Sequence, residues 1–182
     1  SRGLGDVYKR QTLNHEFLMS SYNTDSERAI SKRSADIHGG SGLKALVGGF
    51  GLGYTARELL TDQRIASVEV IEYLPQVLQW LQDGLIPLSS ELNQAAGLQL
   101  TSGDVYQHLL DEPQQKYDLI VIDVDHSPAD QLGSEEHVFY TASGLESARK
   151  HLTAGGVLAV WSYAESSSFS EALESIFDIV HV

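Results

Sequence analysis

Cysteine is absent from the sequence, so disulfides, thiolate metal sites and a cysteine nucleophile are all excluded. Basic residues are scarce: 12 Lys and Arg face 25 Asp and Glu, for a net charge of −13. A field of that sign disfavours nucleic acid and favours cationic small molecules. No apolar run approaches the roughly 20 residues that a membrane-spanning helix needs. No secretory signal is legible, which makes a cytoplasmic enzyme the expectation. The seven histidines include no pair at metal-ligand spacing with a third partner, so no metal is expected. Ser162 sits in no G-x-S-x-G elbow, which leaves hydrolase chemistry without support. With 42% hydrophobic residues over 182 positions, the chain has enough apolar material for one globular core.

What is present is a glycine-rich turn in an informative setting. The run ALVGGFGLGYTARELL carries glycines at 48, 49, 51 and 53 after an apolar segment at 43–47. A helical pattern follows, and a second apolar segment, SVEVIE, ends in Glu72. Glycines let the backbone approach a ligand, a helix N-terminus offers free N–H groups, and a terminal carboxylate can grip a ribose diol. Gly48, Gly49, Gly51, Gly53 and Glu72 are therefore candidate cofactor-binding residues. The nicotinamide fingerprint G-x-G-x-x-G fails here, because Phe50 or Tyr54 falls where a glycine is needed. Gly49-x-Gly51-x-Gly53 fits instead the G-x-G-x-G turn of class I S-adenosylmethionine-dependent methyltransferases and their relatives. The competing explanation of the glycines is a sharp strand-to-helix connection and nothing more.

The first eleven residues, SRGLGDVYKRQ, have no periodicity. DVYKRQ is what GATGTGTATAAGAGACAG encodes, a DNA that looks like the transposase end used to prepare sequencing libraries. Residues 1–11 are set aside as a disordered assembly scar, and 12–182 as a single domain. Without them the chain has 9 basic and 24 acidic residues, a net charge of −15.

Along the rest of the chain, strand and helix patterns alternate. Thr24-Asp-Ser-Glu27 has capping-box spacing and opens a helix that stops near Gly39-Gly40. Strands are predicted at about 43–48, 67–72, 98–101, 117–123, 157–162 and 177–182. Helices fall at about 54–62, 75–82, 143–151 and 167–175, with Pro75 in the first turn of its helix. YDLIVID at 117–123 reads as a central strand, apolar on both faces. The pattern implies an α/β fold with a doubly wound, mostly parallel sheet. A methyltransferase-type sheet adds an antiparallel seventh strand after the sixth, so C-terminal truncation is expected.

Acids cluster where such a sheet binds ligands, at the carboxyl ends of its strands. Glu72 ends the second strand, Asp104 follows the third, and Asp123 and Asp125 follow the fourth. Each is also a plausible helix cap. His126 stands beside two of these acids and is a candidate base. Trp161 and Tyr163 end the fifth strand and either line an acceptor pocket or pack, and Tyr54 is expected to pack.

From about 16 to 162 the chain resembles the spermidine synthase-like group, the polyamine-synthase branch of the methyltransferase superfamily. The likeness rests on LMSS…SE, LVGGFGLGYT, VEVIEYLPQV, the GDV at Gly103, YDLIVIDVDHSP, FYTASGL and LTAGGVLAVWS. It implies a Rossmann-like methyltransferase fold and transfer of an aminopropyl group from decarboxylated S-adenosylmethionine to a diamine. It also implies that Glu72 binds the ribose hydroxyls, Asp104 the adenine amino group, and Asp123 the proton of the attacking amine. Asp123, Asp125 and His126 form the candidate catalytic set. An ammonium is no nucleophile, so a carboxylate must hold the cation and take its proton as the C–N bond forms.

Two departures leave other chemistry open. The family's GGGDGG reads GGFGLG here, without its acid, and its D-x-x-D-P reads Asp123-Val-Asp125-His126-Ser127-Pro128. A methyltransferase using intact S-adenosylmethionine and a non-catalytic nucleoside-binding homologue therefore stay as alternatives. The expected partners are a small-molecule acceptor such as a polyamine and a second copy in a homodimer, with neither nucleic acid nor membrane.

Overall fold

The computed structural model describes residues 10–13, 16–20, 24–124, 138–162 and 164–182. An antiparallel hairpin, β1 (Arg10–Leu13) and β2 (Glu16–Ser20), precedes the main body. In the main sheet, β3 (Leu43–Gly48), β4 (Ile65–Glu72), β5 (Leu98–Ser102), β6 (Tyr117–Ile122) and β7 (Leu152–Val160) are parallel throughout. Their spatial order is β5-β4-β3-β6-β7. The chain builds outward from β3 to β5, then returns across the sheet to place β6 on the other side of β3. The junction of β3 and β6 is thus the point where strand order reverses, and such a sheet opens its ligand crevice there, beyond the carboxyl ends.

Side-chain alternation assembles the two faces. Ala45, Val47, Leu119 and Val121 face one way, and Leu46, Ile120 and Ile122 the other. α1 (Asp25–His38), α2 (Tyr54–Thr61) and α3 (Pro75–Gln82) cover the first face with Ala35, Ala56, Leu59, Val77 and Leu81. The short α4 (Ser89–Leu92) adds Leu92 to it. α5 (Val105–Leu110), α6 (Ala142–Lys150) and α7 (Ser167–Ile176) cover the second with Val105, Leu109, Leu145, Ala148 and Phe169. Leu119 to Ile122 of β6 are at most 1% exposed. Each such side chain contributes about 1.5–3 kcal/mol through burial, so β6 is the strand the sheet can least lose. No helix among the described residues is long and apolar enough to cross a membrane.

Some boundaries differ from the sequence expectation for identifiable reasons. Residues 177–182, expected as a sixth strand, pair with no strand among the described residues, and Ile179 and Val182 are 75% and 85% exposed. Apolar alternation marks a segment able to pair, but only a partner ladder makes it a strand. β7 starts at Leu152, five residues early, because Gly155 and Gly156 form an irregularity inside the strand and not a loop before it. Leu119 pairs with Val157 while Tyr117 pairs with Leu152, and Gly155 takes a φ of +76° to absorb the extra residues. The hairpin pairs Arg10 and Gln11, of the segment set aside in the sequence, with Ser20 and Met19.

At the amino-terminal end of β7, His151 is 1% exposed. Its Nε2–H donates to the Asp111 carbonyl at 3.0 Å, which leaves Nδ1 bare and buried without a partner among the described residues. The His108 ring lies 5.2 Å away. Burial holds the His151 imidazole below its ordinary proton affinity, with His108 adding to the effect against the pull of the Asp111 carbonyl. An unfolded chain with an ordinary imidazole then takes up the proton first. This group's stability contribution is complete above about pH 6.5 and is lost as pH falls toward the lowered folded value. Urea unfolding at about pH 7.5 and about pH 5.5 checks this sign. The wild type loses stability on acidification relative to His151→Gln, whose amide keeps the Asp111 bond without a titrating ring. A constant difference between the two proteins would assign the acid sensitivity elsewhere.

Candidate functional site

The carboxyl ends of β3, β4 and β6 are tied together by main-chain bonds. The Gly49 N–H donates to the Ile71 carbonyl at 2.9 Å, and the Asp123 N–H to the Gly48 carbonyl at 3.0 Å. Between β3 and α2 the chain passes through Gly49, Gly51 and Gly53 with φ of +86°, +54° and +86°. A Cβ on Gly49 would stand 2.7 Å from the Asp123 carbonyl oxygen, and one on Gly53 2.5 Å from Leu92 Cδ1. Backbone packing therefore requires glycine at 49, the left-handed φ favours it at 53, and a Cβ at Gly48 would meet Val105. The turn delivers Gly53 as the N-cap of α2, with no side-chain cap bond among the described residues. Helix-start amides of this kind can be met by an acceptor from outside the chain.

Glu72 closes β4 at 6% exposure. Its Oε2 accepts the Phe50 N–H at 2.8 Å and its Oε1 the Leu74 N–H at 2.7 Å. The carboxylate thus staples the glycine turn to the start of α3. These bonds use two of its roughly four lone-pair sites, and two sites stay available for the hydroxyls of a diol. Asp104 caps α5, with Oδ1 accepting from the Tyr106 and Gln107 amides at 2.8 and 3.3 Å. Both bonds fall on one oxygen, so Oδ2 can still meet an outside donor. Tyr73, directly after Glu72, is 69% exposed, an aromatic surface beside the turn that the sequence reading passed over.

Asp123 stands at the tip of β6, half-buried, and its Oδ2 accepts the Thr55 hydroxyl at 2.8 Å. Its pKa is pushed up to about 6: burial dominates, the Glu27 charge adds to it, and the Thr55 bond works against both. Glu27 itself is turned inward at 9% exposure. The expected capping box does not form, since Thr24 makes no side-chain cap bond and Glu27 takes the Ser26 hydroxyl at 2.7 Å instead. The buried positions of α1 are Glu27, Ser31, Ser34 and Ala35. That is a helical stripe made almost wholly of polar residues, which an apolar periodicity search passes over. Asp125, His126 and Tyr163 lie outside the described residues. Trp161 is half-buried, with its main-chain N–H on the Ile122 carbonyl, and Tyr54 packs against the α2 face of the core with the Arg28 guanidinium 5.8 Å from its ring centre.

No family model matches the chain. Its structure is similar to a spermidine synthase from Thermotoga maritima at 15% identity and a TM-score of 0.72, over 93% of this chain and 57% of that one. A spermidine synthase in complex with the transition-state analogue AdoDATO matches at 16% identity and a TM-score of 0.76, over 93% and 58%. Human methyltransferase-like protein 13 in complex with SAH matches at 18% identity and a TM-score of 0.58, over 87% and 72%. The chain has the Rossmann-like methyltransferase fold that these proteins share. It spans little more than half the length of the two synthases.

Because Glu72 accepts two main-chain amides at once, Glu72→Gln must leave Phe50 or Leu74 facing an NH2 group. The expected cost is about 1–3 kcal/mol of stability before any ligand is added. Urea unfolding of the ligand-free protein measures it, and an unchanged unfolding free energy would rule out the staple.

Proposed function

We propose that this chain is a spermidine synthase-like transferase that binds an S-adenosylmethionine-type cofactor and moves an aminopropyl group from its decarboxylated form to an amine acceptor such as a polyamine. The observation that carries the reading is Asp123, whose main chain lies against Gly49 and whose carboxylate, with raised proton affinity, accepts the Thr55 hydroxyl at the start of α2. The donor set fits the cofactor: positive-φ glycines leading into an uncapped helix start, Glu72 with two lone-pair sites to spare, and Asp104 with one oxygen open. Glu72 would hold the ribose hydroxyls and Asp104 the adenine amino group. When bound, the cofactor supplies a carbon made electrophilic by an adjacent sulfonium, which departs as a neutral thioether with the bond's electron pair.

The chain's own residues handle the proton. A protonated amine has no lone pair to offer, so the ammonium must be held and then relieved of a proton. Asp123 takes that proton as the new C–N bond forms. With a pKa of about 6 it is ionised at neutral pH yet basic enough to accept, the compromise that general-base catalysis favours. The proposed assembly is a homodimer.

One observation favours methyl transfer as a second reading. Laid against GGGDGG, the segment GGFGLG puts Gly51 where that motif carries its acid, and Gly51, at a φ of +54°, has no side chain to offer. The turn thus offers no side-chain carboxylate to the amino end of a decarboxylated cofactor, and an intact methionine arm needs none. A homologue that binds a nucleoside without turnover is the third reading.

Calorimetric titration with S-adenosylmethionine and with its decarboxylated form separates the three. Tighter binding of the decarboxylated ligand is the expected result. Transfer to putrescine should then rise with pH through an apparent pKa near 6, and Asp123→Asn should lose about 10²–10⁴-fold in rate. Preference for the intact cofactor would make methyl transfer the activity, binding without transfer would leave the third reading, and binding of neither would overturn the cofactor assignment.

A further inference from the structure

We infer that Thr55 is a positioning residue for Asp123, and that Ser31 on α1 holds Thr55 in place by its main-chain carbonyl, so that three residues from three elements form one relay of contacts behind the carboxylate. The inference rests on the proposal that Asp123 accepts the acceptor's proton, and it adds the residues that aim and tune that group. Ser31 is 1% exposed and Thr55 4%. The Ser31 hydroxyl reaches the Glu27 carbonyl one turn back at 2.9 Å and the Thr55 carbonyl at 3.0 Å. A bond to the carbonyl four residues earlier is ordinary for a helical serine. The contact to Thr55 is not, because it ties the middle of α1 to the first turn of α2. Thr55 then donates to Asp123 Oδ2 at 2.8 Å. Being β-branched, it has few χ1 choices, and with its carbonyl anchored its hydroxyl stays aimed at one carboxylate oxygen.

Packing alone does not explain the hydroxyl. Valine has the same shape, and at a buried helix position it would leave no polar group to satisfy. The charges around Asp123 give the relay something to balance. Glu27 on α1 raises its proton affinity, while the Thr55 bond lowers it. From β4, Glu72 turns to Phe50 and Leu74, and from α5, Asp104 turns to its own helix amides. Among the described residues, then, one carboxylate pushes and one hydroxyl restrains. Thr55 keeps Asp123 ionised and in register under conditions where burial beside Glu27 would otherwise protonate it.

The test reads Asp123 directly and needs neither cofactor nor acceptor. In the full chain carrying carbon-13 at the aspartate carboxyls, the Asp123 resonance is assigned by its loss in Asp123→Asn and followed through a pH titration by NMR. Thr55→Val should raise the Asp123 midpoint by about one pH unit, the effect of removing a hydrogen bond to a charged group. Thr55→Ser should restore it, and Glu27→Gln should move it in the opposite direction. Ser31→Ala should raise it by a smaller amount, and serves if the valine variant does not fold. A midpoint unmoved in Thr55→Val, or in Ser31→Ala should that variant alone fold, would reduce these residues to a structural tie and overturn the inference. If the shifts occur as expected but no transfer is found with either cofactor form, the relay stands and the proposed reaction falls.

Discussion

The approach of β3 to β6 at their carboxyl ends sets everything else in this molecule. Asp123 hangs its amide on Gly48, and its carbonyl oxygen lies 2.7 Å from where a Cβ of Gly49 would stand. Only a residue without a side chain lets the two strands come this close. The same closeness places the Asp123 carboxylate beside the first turn of α2, since the chain leaves β3, turns through three glycines and starts the helix within five residues. Moving the strands apart would not merely loosen the sheet. It would break the contact between Asp123 and Thr55, and it would shift the Glu72 staple that holds Phe50.

Two of the helices that start at this edge, α2 and α5, are finished in opposite ways. α5 is closed by a carboxylate of its own, Asp104, which satisfies its first amides. α2 begins at a glycine and has no side chain to do so. Four N–H groups at a helix start need acceptors, and a protein that leaves them to solvent gives up about 1 kcal/mol that a capping residue would supply. A ligand can supply the same acceptors, which ties the open helix start to the same face as the acids. Burying Asp123 works against the fold in a similar way. With its pKa raised to about 6, its ionised form is less at ease in the folded chain than in the unfolded one, so this group costs stability as pH rises from about 3.8 through about 6. A group retained under that penalty is easier to understand as chemistry than as structure.

How far the sequence could be read follows from which signals are local. The glycine spacing, the acid ending β4 and the apolar run of β6 each follow from a few consecutive residues, and each lies where it was expected. The parallel order of the sheet was legible too, because alternation of strand and helix leaves few ways to bury both faces. What escaped depends on distant partners. Thr55 is one more residue of a helix until β6, 68 positions later, brings a carboxylate to it. Glu27 looked like a cap because capping boxes have that spacing, but the buried face of α1 claims it. His151 gave no signal, since its burial is set by α5 and β6. Residues 177–182 failed in the reverse sense: the local pattern of a strand is there, but the described residues offer it no neighbour.

The glycine turn is fixed by packing as well as by backbone conformation. Leu52 is buried at 2% exposure between two left-handed glycines, with Phe50, Ala56 and Leu92 in the same cluster of the α2 face. An aspartate at 52 would enter an apolar site, at a cost of several kcal/mol unless it stayed protonated. The turn therefore works as an apolar plug, and residues 48–53 carry no acid of their own. Among the described residues, the carboxylates that reach this turn and the helix it opens are Glu72, through the Phe50 amide, and Asp123, through the Thr55 hydroxyl.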